Sequence, residues 1–407
     1  MRKNGVEGMY DSGINQDNAQ QMNRELVLRF LRKRGVCSRI ELAKLTNLNP
    51  ATITNIINDF QRIGVVEETG AISEGKGRSA MGLALSASKY SVIGIRLTRR
   101  CMLVGAFDIS GKKIHSEEYN LVHKTPQTVL DIMKTSVRKA IDKWAGREVV
   151  AIGCAVPGPF MRQEGRIAMM TSTVNWQSIN IKQELKKEFE LPIFMEHDAN
   201  AGALAYYWNN GEGSELNQSI VYLAVGEGVG GGIIDNGKLL MGKRGIAGEI
   251  GHMSIDAHGR YCECGNRGCL ETYCSSISFT REIKRKVQGG DYSIVKEDST
   301  LAEITEAIRK GDRLSVDEYR YACDCLAAGV VNIINILDPD TIVLDDEFVS
   351  VNQEILRKSL ENIIDQSILH LVNQKIELII GDGTQETMLQ GAAYVAVEGA
   401  MRIFARK

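Results

Sequence analysis

Near the start of the chain, apolar side chains recur every three or four positions, which is the period of an amphipathic helix. The first run, residues 23–33, places Leu26, Phe30 and Leu31 on one face. Gly35 follows it, and glycine often stands just after a helix because it adopts the left-handed conformation that closes the last turn. The pattern therefore predicts a helix over residues 23–33, with two more helices after it.

Capping residues mark the starts of the second and third predicted helices. Ser38 and Glu41 have the spacing of a capping box, in which the hydroxyl accepts a hydrogen bond from the backbone three residues on. Asn49 followed by Pro50 is a favourable N-cap with proline at the first helical position. From there to Phe60, apolar residues share the helix with short polar side chains. Two helices joined by a tight turn, the second with a polar face, indicate a helix-turn-helix, whose second helix enters the major groove of DNA.

The polar face of the third helix and a following hairpin supply the candidate DNA contacts. Asparagine, serine and threonine can hydrogen-bond base edges or phosphates. After the helix, residues 65–79 read as a strand and a turn, which is the pattern of a wing able to reach phosphates or the minor groove. The residues expected to contact DNA are Ser38, Asn49, Ala51, Thr52, Thr54, Asn55, Lys76 and Arg78.

The charge of this segment agrees with a DNA partner. Residues 19–80 carry ten Lys and Arg against six Asp and Glu, a balance of +4, whereas the whole chain stands at −2. A positive segment on a mildly acidic body suits a polyanion. The alternative is a three-helix dimerisation or docking module whose polar face is only solvated. The agreement of caps, turn, polar face and wing favours the DNA-binding interpretation.

From about residue 90 the pattern changes to short apolar strands interspersed with helices. Two similar halves, each rich in strands and covered by helices, are what this order predicts, with a cleft between them. The final helix is expected to pack back on the first half. The predicted strands cover residues 91–97, 101–108, 112–116, 149–155, 219–225 and 232–235, and the predicted helices cover 128–144, 314–337, 352–367 and 386–401.

The composition is that of a soluble globular protein with more than one domain. The 407 residues are 43% hydrophobic and 25% charged, and a chain of this length can bury two or three cores. No apolar run in the sequence is judged long enough to cross a bilayer. Residues 1–21 lack the apolar segment of a secretory signal. We therefore expect a cytoplasmic protein with no membrane partner.

Cysteines cluster in one short, glycine-flanked segment. Cys262, Cys264 and Cys269 lie within eight residues, with His252 and His258 as candidate fourth ligands. Three thiolates and one imidazole suit tetrahedral zinc, and four protein ligands form a closed, structural site. Cys274 lies close by but is expected in the core. The alternative is a thiol redox regulator that uses the same cysteines.

The body, about residues 85–400, resembles the family of repressors, open-reading-frame proteins and sugar kinases known as ROK, most specifically over residues 245–271. With the helix-turn-helix in front, the chain is similar to its repressor branch, which includes xylose and N-acetylglucosamine repressors. The resemblance implies an α/β, actin/hexokinase-like (ribonuclease H-like) two-lobed fold behind a winged helix-turn-helix, and usually a dimer or tetramer. It divides the chain into a flexible tail 1–18, a winged helix-turn-helix 19–82, a first lobe 86–205 completed by helix 386–401, and a second lobe 206–385 carrying the zinc.

The resemblance also implies a sugar-binding cleft. Residues 249–252 match the family's E-x-G-H motif, which selects His252 over His258 as the zinc ligand. Asp198 corresponds to the catalytic base of the kinases, and His197 replaces the usual asparagine before it. Carboxylates and imidazoles suit vicinal hydroxyls, which both donate and accept hydrogen bonds. The expected sugar-binding residues are His197, Asp198, Gly228, Glu249, His252 and Glu271.

One of the two glycine-rich turns that hold ATP in the kinases is altered. The second turn is present at residues 226–232. Where active relatives read G-I-D-x-G-G-T-K, this chain has Arg96 for the acid and Thr98 and Arg99 for the two glycines. Ordered phosphate transfer needs the metal and the backbone cradle together. The chain is therefore expected to have no catalytic residues and no kinase activity.

Together these features predict a sugar-responsive repressor of carbohydrate-utilisation genes. A homodimer would bind a palindromic operator through its two helix-turn-helix units, and a monosaccharide in the cleft would control the affinity. The alternatives are an active sugar kinase with a regulatory DNA-binding unit and the thiol redox regulator. The sequence leaves the choice of sugar open among xylose, glucose, N-acetylated and phosphorylated sugars.

Overall fold

The computed structural model describes most of the chain. The described residues are 16–72, 79–158, 160–161, 164–167, 176, 179–210, 218–367 and 376–407. Lys76 and Arg78, the residues expected at the tip of the wing, lie outside them.

Three helices and a β-hairpin form the N-terminal unit, residues 16–85, called the arm below. Its elements are α1 (Gln16–Arg34), α2 (Arg39–Thr46), α3 (Pro50–Arg62), β1 (Val66–Ile72) and β2 (Ala80–Leu85). Helix α1 begins seven residues before the predicted start, because its first residues are polar and give no apolar period for a pattern to detect. Strands β1 and β2 pair antiparallel from Val66 opposite Leu85 to Ile72 opposite Ala80.

The caps predicted from the sequence set the helix boundaries. The Ser38 hydroxyl accepts a hydrogen bond from the Glu41 backbone N–H at 3.0 Å, and the Asn49 side chain accepts one from the Ala51 N–H at 2.9 Å. Gly35 follows α1 at φ 76°, a conformation that glycine adopts at little cost. Local sequence chemistry thus fixes the turn that separates α2 from α3.

The first half of the body is one mixed sheet with helices. The elements are β3 (Tyr90–Leu97), β4 (Cys101–Asp108), β5 (Lys113–Asn120), α4 (Pro126–Lys139) continued by a π-helical turn (Ala140–Trp144), β6 (Glu148–Val156), β7 (Phe160–Met161), β8 (Arg166–Ile167), α5 (Ile181–Glu188), β9 (Ile193–His197) and α6 (Asp198–Asn210). Within the described residues the large sheet has the order β5-β4-β3-β6-β9.

The second half repeats this sheet. Its elements are β10 (Ile220–Val225), β11 (Val229–Asp235), β12 (Lys238–Leu239), a 3-10 turn (Ile250–His252), α7 (Glu271–Cys274), α8 (Ser276–Gln288), α9 (Leu301–Arg309), α10 (Arg313–Leu337), β13 (Thr341–Asp345), α11 (Gln353–Ser367), β14 (Glu377–Ile380) and α12 (Glu386–Arg406). The order β12-β11-β10-β13-β14 is that of the first sheet, with β10 antiparallel to β11 and parallel to β13. The two halves are therefore copies of one architecture.

Helices α6 and α12 pack between the two sheets through small residues. A Cβ at Gly153 of β6 would lie 2.0 Å from the Ala392 carbonyl oxygen of α12, so α12 packs directly on the first sheet. A Cβ at Gly232 of β11 would lie 2.2 Å from the Ala199 oxygen of α6. The lobe boundary expected between residues 205 and 206 falls inside α6, because this alanine-rich helix is continuous and contacts both sheets.

Helix α10 corrects the expectation that no segment is long and apolar enough to cross a bilayer. By length and composition alone, Arg313–Leu337 passes that test. However, 56% of its most apolar window is buried inside the protein, and Tyr319, Leu326 and Val330 are fully buried in the core of the second half. Its apolar composition follows from this burial, because a helix that is apolar on most of its faces lies in the core of a protein. Helix α10 is therefore a core helix.

Candidate functional site

The six residues expected to bind a sugar line one cleft between the two sheets. Strand β9 ends at His197 and α6 begins at Asp198, so both side chains stand at the end of a strand of the first sheet. Glu249 directly precedes the 3-10 turn that ends at His252. The third contributor, Glu271, begins α7. Four sequence-distant segments therefore converge, counting the glycine-rich turn at Gly228.

Two glycines leave the space that the His197 ring occupies. A Cβ at Gly158 would lie 2.5 Å from His197 Nε2, and one at Gly230 would lie 2.8 Å from His197 Cε1. Real Cβ atoms do not approach so closely, so the ring sits in a slot between two backbones. His197 Nε2 lies 3.3 Å from Asp198 Oδ1. The His197 imidazole and the Asp198 carboxylate therefore stand side by side in the cleft.

Two further carboxylates face the cleft. A Cβ at Gly158 would stand 3.4 Å from Glu249 Oε1, and one at Gly228 would stand 3.3 Å from Glu271 Oε2 and 4.0 Å from Arg99 Nη2. Burial raises the pKa of Glu249 above its ordinary value, and the neighbouring His197 opposes that rise. A cleft with three carboxylates and an imidazole can accept hydrogen bonds from several hydroxyls at once, as a polyol requires.

The cysteine cluster has the geometry of a metal centre. The ligand atoms of His252, Cys262, Cys264 and Cys269 all lie within 4.8 Å of one another. Cys262 Sγ is 3.6 Å from His252 Nδ1, and the sulfurs of Cys264 and Cys269 are 3.7 Å apart. Sulfurs around a tetrahedral zinc at about 2.3 Å stand about 3.7 Å apart. The four residues therefore fit a tetrahedral ion, and within the described chain this group contains His252 and not His258.

His252 and Glu271 connect the metal group to the cleft. His252 Nδ1 faces the cysteines and lies 3.5 Å from Glu271 Oε1, which leaves Nε2 on the opposite edge of the ring. Glu271 Oε1 accepts a hydrogen bond from the Cys262 thiol at 3.4 Å, while its Oε2 faces Gly228. The sequence pattern placed these residues near each other, but it could not show that one carboxylate serves both sites.

A buried ion pair joins strand β3 to the residue that follows β13. Arg96 Nη2 of β3 lies 2.9 Å from Asp346 Oδ2, and the exposed fractions of the two side chains are 2% and 10%. Burial alone would lower the pKa of Arg96, but Asp346 and Asp198 raise it above the ordinary value. Asp346 follows β13 at φ 86°, a backbone conformation that favours glycine and that costs a non-glycine residue about 1–3 kcal/mol.

A second cation bridges the two halves at the mouth of the cleft. Arg100 Nε lies 2.5 Å from Glu227 Oε1, and Arg100 Nη2 lies 2.5 Å from Glu347 Oε1. The Arg99 backbone N–H also donates to Glu227 Oε2 at 3.1 Å. Asp346 thus pairs with Arg96 of β3 and Glu347 with Arg100 of the β3–β4 turn. Sequence reasoning missed both pairs, because partners about 250 residues apart give no local signal.

The candidate DNA-binding residues divide into two groups. Ala51, Thr54 and Asn55 are exposed on α3 and Thr52 is half-buried. Asn49 is exposed at the N-terminus of the same helix. Ser38, in contrast, is 1% exposed and its hydroxyl caps α2. We therefore assign Ser38 to helix capping and leave the candidate contacts to the exposed side chains.

The protein is an α/β protein of the actin/hexokinase-like class. Two sheets with the same strand order, helices between them and a polar cleft define this class, and a winged helix-turn-helix precedes them in the chain. The chain belongs to the ROK family, whose profile matches residues 92–398. It is 30% identical over 371 residues to the xylose repressor of Caldicellulosiruptor bescii, covering 88% of this chain and 92% of that one. It is 29% identical to the DNA-binding transcriptional dual regulator NagC of Escherichia coli K12, over 95% of each chain.

A solved structure extends the similarity to the arm. The crystal structure of a ROK family transcriptional regulator, described as a homologue of the Escherichia coli MLC protein, superposes with a TM-score of 0.78 at 26% identity. The match covers 95% of this chain and 98% of that one. The likeness therefore includes the arm as well as the two-lobed body.

Proposed function

We propose that this protein is a cytoplasmic, sugar-responsive transcriptional repressor of carbohydrate-utilisation genes. A homodimer binds a palindromic operator through two arms, and a monosaccharide in the cleft changes the operator affinity. The observation that carries the proposal is a single cleft whose two sides carry different chemical groups. His197, Asp198 and Glu249 offer hydroxyl-binding groups, whereas Arg96 and Asp346, which line the same cleft, are paired with each other.

The relatives agree with this proposal. The proteins similar over nearly the whole chain are described as repressors and transcriptional regulators. Control of DNA binding by a sugar requires thermodynamic linkage between the two sites. A ligand shifts the equilibrium between two arrangements of the arms only to the extent that it binds one of them more tightly than the other. Closure of the cleft around a sugar is the movement that would create this difference here.

We propose that the metal is a structural Zn²⁺ held by His252, Cys262, Cys264 and Cys269. When bound, zinc stabilises the thiolate forms of its cysteines and ties the loop together. The protein's own residues do the rest: the fixed His252 ring presents Nε2 to the cleft, and Glu271 keeps its Oε2 toward Gly228. The contact between His252 and Glu271 orients the atoms that face the sugar, as hydrogen-bond partners of a metal ligand generally do.

The second candidate function is an active sugar kinase, favoured by Asp198 at the start of α6 and by the glycine-rich turn at 226–232. The ion pairs of Arg96 and Arg100 occupy the opposite side and supply no backbone cradle for phosphate. One experiment separates the two. Thermal-shift screening with D-xylose, D-glucose, N-acetyl-D-glucosamine and its 6-phosphate should identify a stabilising sugar, and the same mixtures with ATP and Mg²⁺ should show no ATP turnover. Steady turnover would support the kinase instead.

The Asn55→Ala variant is expected to weaken operator binding about 5- to 100-fold, because one good side-chain contact with a base contributes about 1–3 kcal/mol of discrimination. Fluorescence anisotropy with a labelled DNA fragment flanking the protein's own gene measures this. The matched control is Asn58→Ala, which removes the same side chain from an exposed position of α3 one turn further from its N-terminus. Equal losses in the two variants, or none in Asn55→Ala, would argue against α3 as the base-reading helix.

The Glu249→Gln variant is expected to bind the stabilising sugar about 10- to 100-fold more weakly, because a hydrogen bond to a charged group contributes about 1.5–3 kcal/mol. Isothermal titration calorimetry measures the affinity, and operator binding without sugar should stay unchanged. Glu263→Gln is the control, since Glu263 is an exposed carboxylate in the neighbouring cysteine loop. An unchanged sugar affinity in Glu249→Gln would remove this carboxylate from the binding site.

A further inference from the structure

Three basic residues of α1 rest on the body of the protein. The Arg32 guanidinium lies between two rings, with its Cζ 4.0 Å from the centre of the Trp208 ring and 4.2 Å from that of Tyr394. Lys33 Nζ donates to the Tyr207 carbonyl oxygen. Arg29 Nη2 donates to the Gly237 carbonyl oxygen at 2.9 Å. Arg29 and Lys33 therefore contact the β11–β12 turn and the C-terminal end of α6, and Arg32 lies between α6 and α12.

Helix α6 and strand β11, which leads to the contacted turn, both begin at the sugar cleft. Helix α6 starts with Asp198 in the cleft and ends at Asn210, beyond the rings of Tyr207 and Trp208. Thirteen helical residues span about 20 Å. Strand β11 starts at Val229, which also lines the cleft, and leads to the turn at Gly237. Each element thus has one end among sugar-facing groups and the other end under α1.

Helix α6 is packed so closely that its two ends cannot move independently. A Cβ at Gly391 of α12 would lie 2.0 Å from the Ala201 oxygen, and a Cβ at Gly202 would lie 2.3 Å from the Tyr222 ring. Backbones in direct contact leave no space for one to bend without the other, because protein interiors are close-packed. A displacement at Asp198 is therefore passed along the helix to Trp208.

The opposite face of α1 is anchored differently. Val27, Leu28 and Leu31 are fully buried in a cluster that also contains Ala393 and Val397 of α12. Between α1, α12 and the β11–β12 turn lies a cavity of about 530 Å³. Helix α1 thus has an apolar anchor on α12, cationic contacts with α6, α12 and the β11–β12 turn, and open space beside them.

Arg32 lies against two ring faces, whereas Arg29 and Lys33 donate hydrogen bonds to backbone carbonyl oxygens. Within the described part of the chain, neither terminal nitrogen of Arg32 has a hydrogen-bond acceptor. Burial lowers the pKa of Arg32 to about 10, so the side chain is still charged at neutral pH. A buried cation without acceptors carries a desolvation cost that the ring faces offset only in part. This makes the contact sensitive to small movements of the rings.

Helix α1 is joined in turn to the helix with the candidate DNA contacts. Arg24 Nη1 of α1 lies 2.7 Å from Asp59 Oδ2 of α3, and the Arg24 side chain is 6% exposed. The same guanidinium lies 4.7 Å from the centre of the Phe60 ring. A rotation of α1 therefore takes α3 with it.

We propose that Arg29, Arg32 and Lys33 are positioning residues that transmit the state of the sugar cleft to the arm, with α6 and β11 as the two connecting elements. The inference rests on the proposed function. When the cleft closes on a sugar, the β11–β12 turn at Gly237 moves relative to the closely packed pair of α6 and α12, and α1, anchored on both, turns with α3. None of the three side chains contacts the sugar or needs to contact DNA.

The test measures coupling rather than either affinity alone. For wild-type protein and the Arg32→Met variant, the operator affinity is measured with and without each of D-xylose, D-glucose, N-acetyl-D-glucosamine and its 6-phosphate, and the sugar affinity is measured without DNA. Wild-type protein should show at least about a fivefold change of operator affinity with one of these sugars. Arg32→Met should show less than a twofold change, while the sugar affinity without DNA stays within threefold of wild type.

Arg34→Gln is the matched control, since it removes one charge from the same helix at an exposed position and should keep the full change. Arg29→Gln, which removes the contact with Gly237, gives a second variant if Arg32→Met unfolds, and it should reduce the fold-change by at least half. Full coupling in Arg32→Met, or in a folded Arg29→Gln, would overturn the inference and leave the proposed function intact. Absence of any sugar effect in wild-type protein would instead refute the proposed function, and the inference with it.

Discussion

The Arg96→Met variant is expected to lower the free energy of unfolding by about 3–5 kcal/mol, because breaking a buried ion pair leaves an uncompensated charge in the interior. Arg96 and Asp346 are 2.9 Å apart and nearly inaccessible to solvent. Methionine keeps the apolar stem of the side chain but not the terminal guanidinium atoms, so the loss includes a small cavity as well as the unpaired Asp346 charge. Urea unfolding followed by circular dichroism measures the change.

Two further variants identify the cause of that loss. Arg96→Met combined with Asp346→Gly removes both charges and places glycine at φ 86°, so the double variant should regain most of the lost stability. Arg62→Met is the control: its partner Asp59 is 3.0 Å away, but the Arg62 side chain is 73% exposed, and an exposed pair contributes about 0–1 kcal/mol. If Arg96→Met costs no more than this control, the pair does not hold the two halves together.

The second large effect is expected from loss of the metal. Cys269→Ser should release the zinc and lower the free energy of unfolding by more than about 4 kcal/mol, a range that single substitutions reach only by mechanisms such as a lost metal. Sugar binding should fall as well, because His252 and Glu271 lose the ion that orients them. Metal content by mass spectrometry, thermal unfolding and calorimetry are the three measurements.

Cys274→Ser is the matched control for this prediction. Cys274 is fully buried like Cys269 but lies outside the ligand group, and its thiol donates to the Leu270 carbonyl oxygen at 3.3 Å. This variant should keep one zinc per chain. Equal zinc content in the two variants would refute the assigned ligands. Protein purified under reducing conditions without any metal would favour the redox alternative.

The elements that the sequence predicted are those encoded by neighbouring residues. Ser38 and Asn49 mark helix starts through hydrogen bonds that span at most three residues, and the central strands of both sheets follow runs of apolar residues. The proposed metal ligands also lie close together, within 18 positions from His252 to Cys269. The cleft residues depended on similarity to a family, because no local pattern brings Asp198 to the side of Glu271.

The features that the sequence could not predict are contacts between distant segments. The Arg96–Asp346 pair joins residues 250 positions apart, and only a fold that places β3 beside the end of β13 brings them together. Likewise, the positive charge of residues 19–80 indicates a surface that faces DNA. In the structure, however, Arg32 of this segment lies on the ring of Trp208 in the body. The predicted lobe boundary at 205/206 lies within α6, since a helix of small residues gives no sign of which sheet it will cover.

The central claim is that a sugar in the cleft sets the affinity of the arm for DNA. Its most direct test is to titrate the full-length protein into a labelled promoter fragment from its own gene region, with and without the stabilising sugar, and to follow ATP in parallel. The account predicts a dissociation constant that changes at least about fivefold with sugar, with ATP untouched. A dissociation constant that no sugar alters, or steady conversion of ATP to ADP, would contradict it.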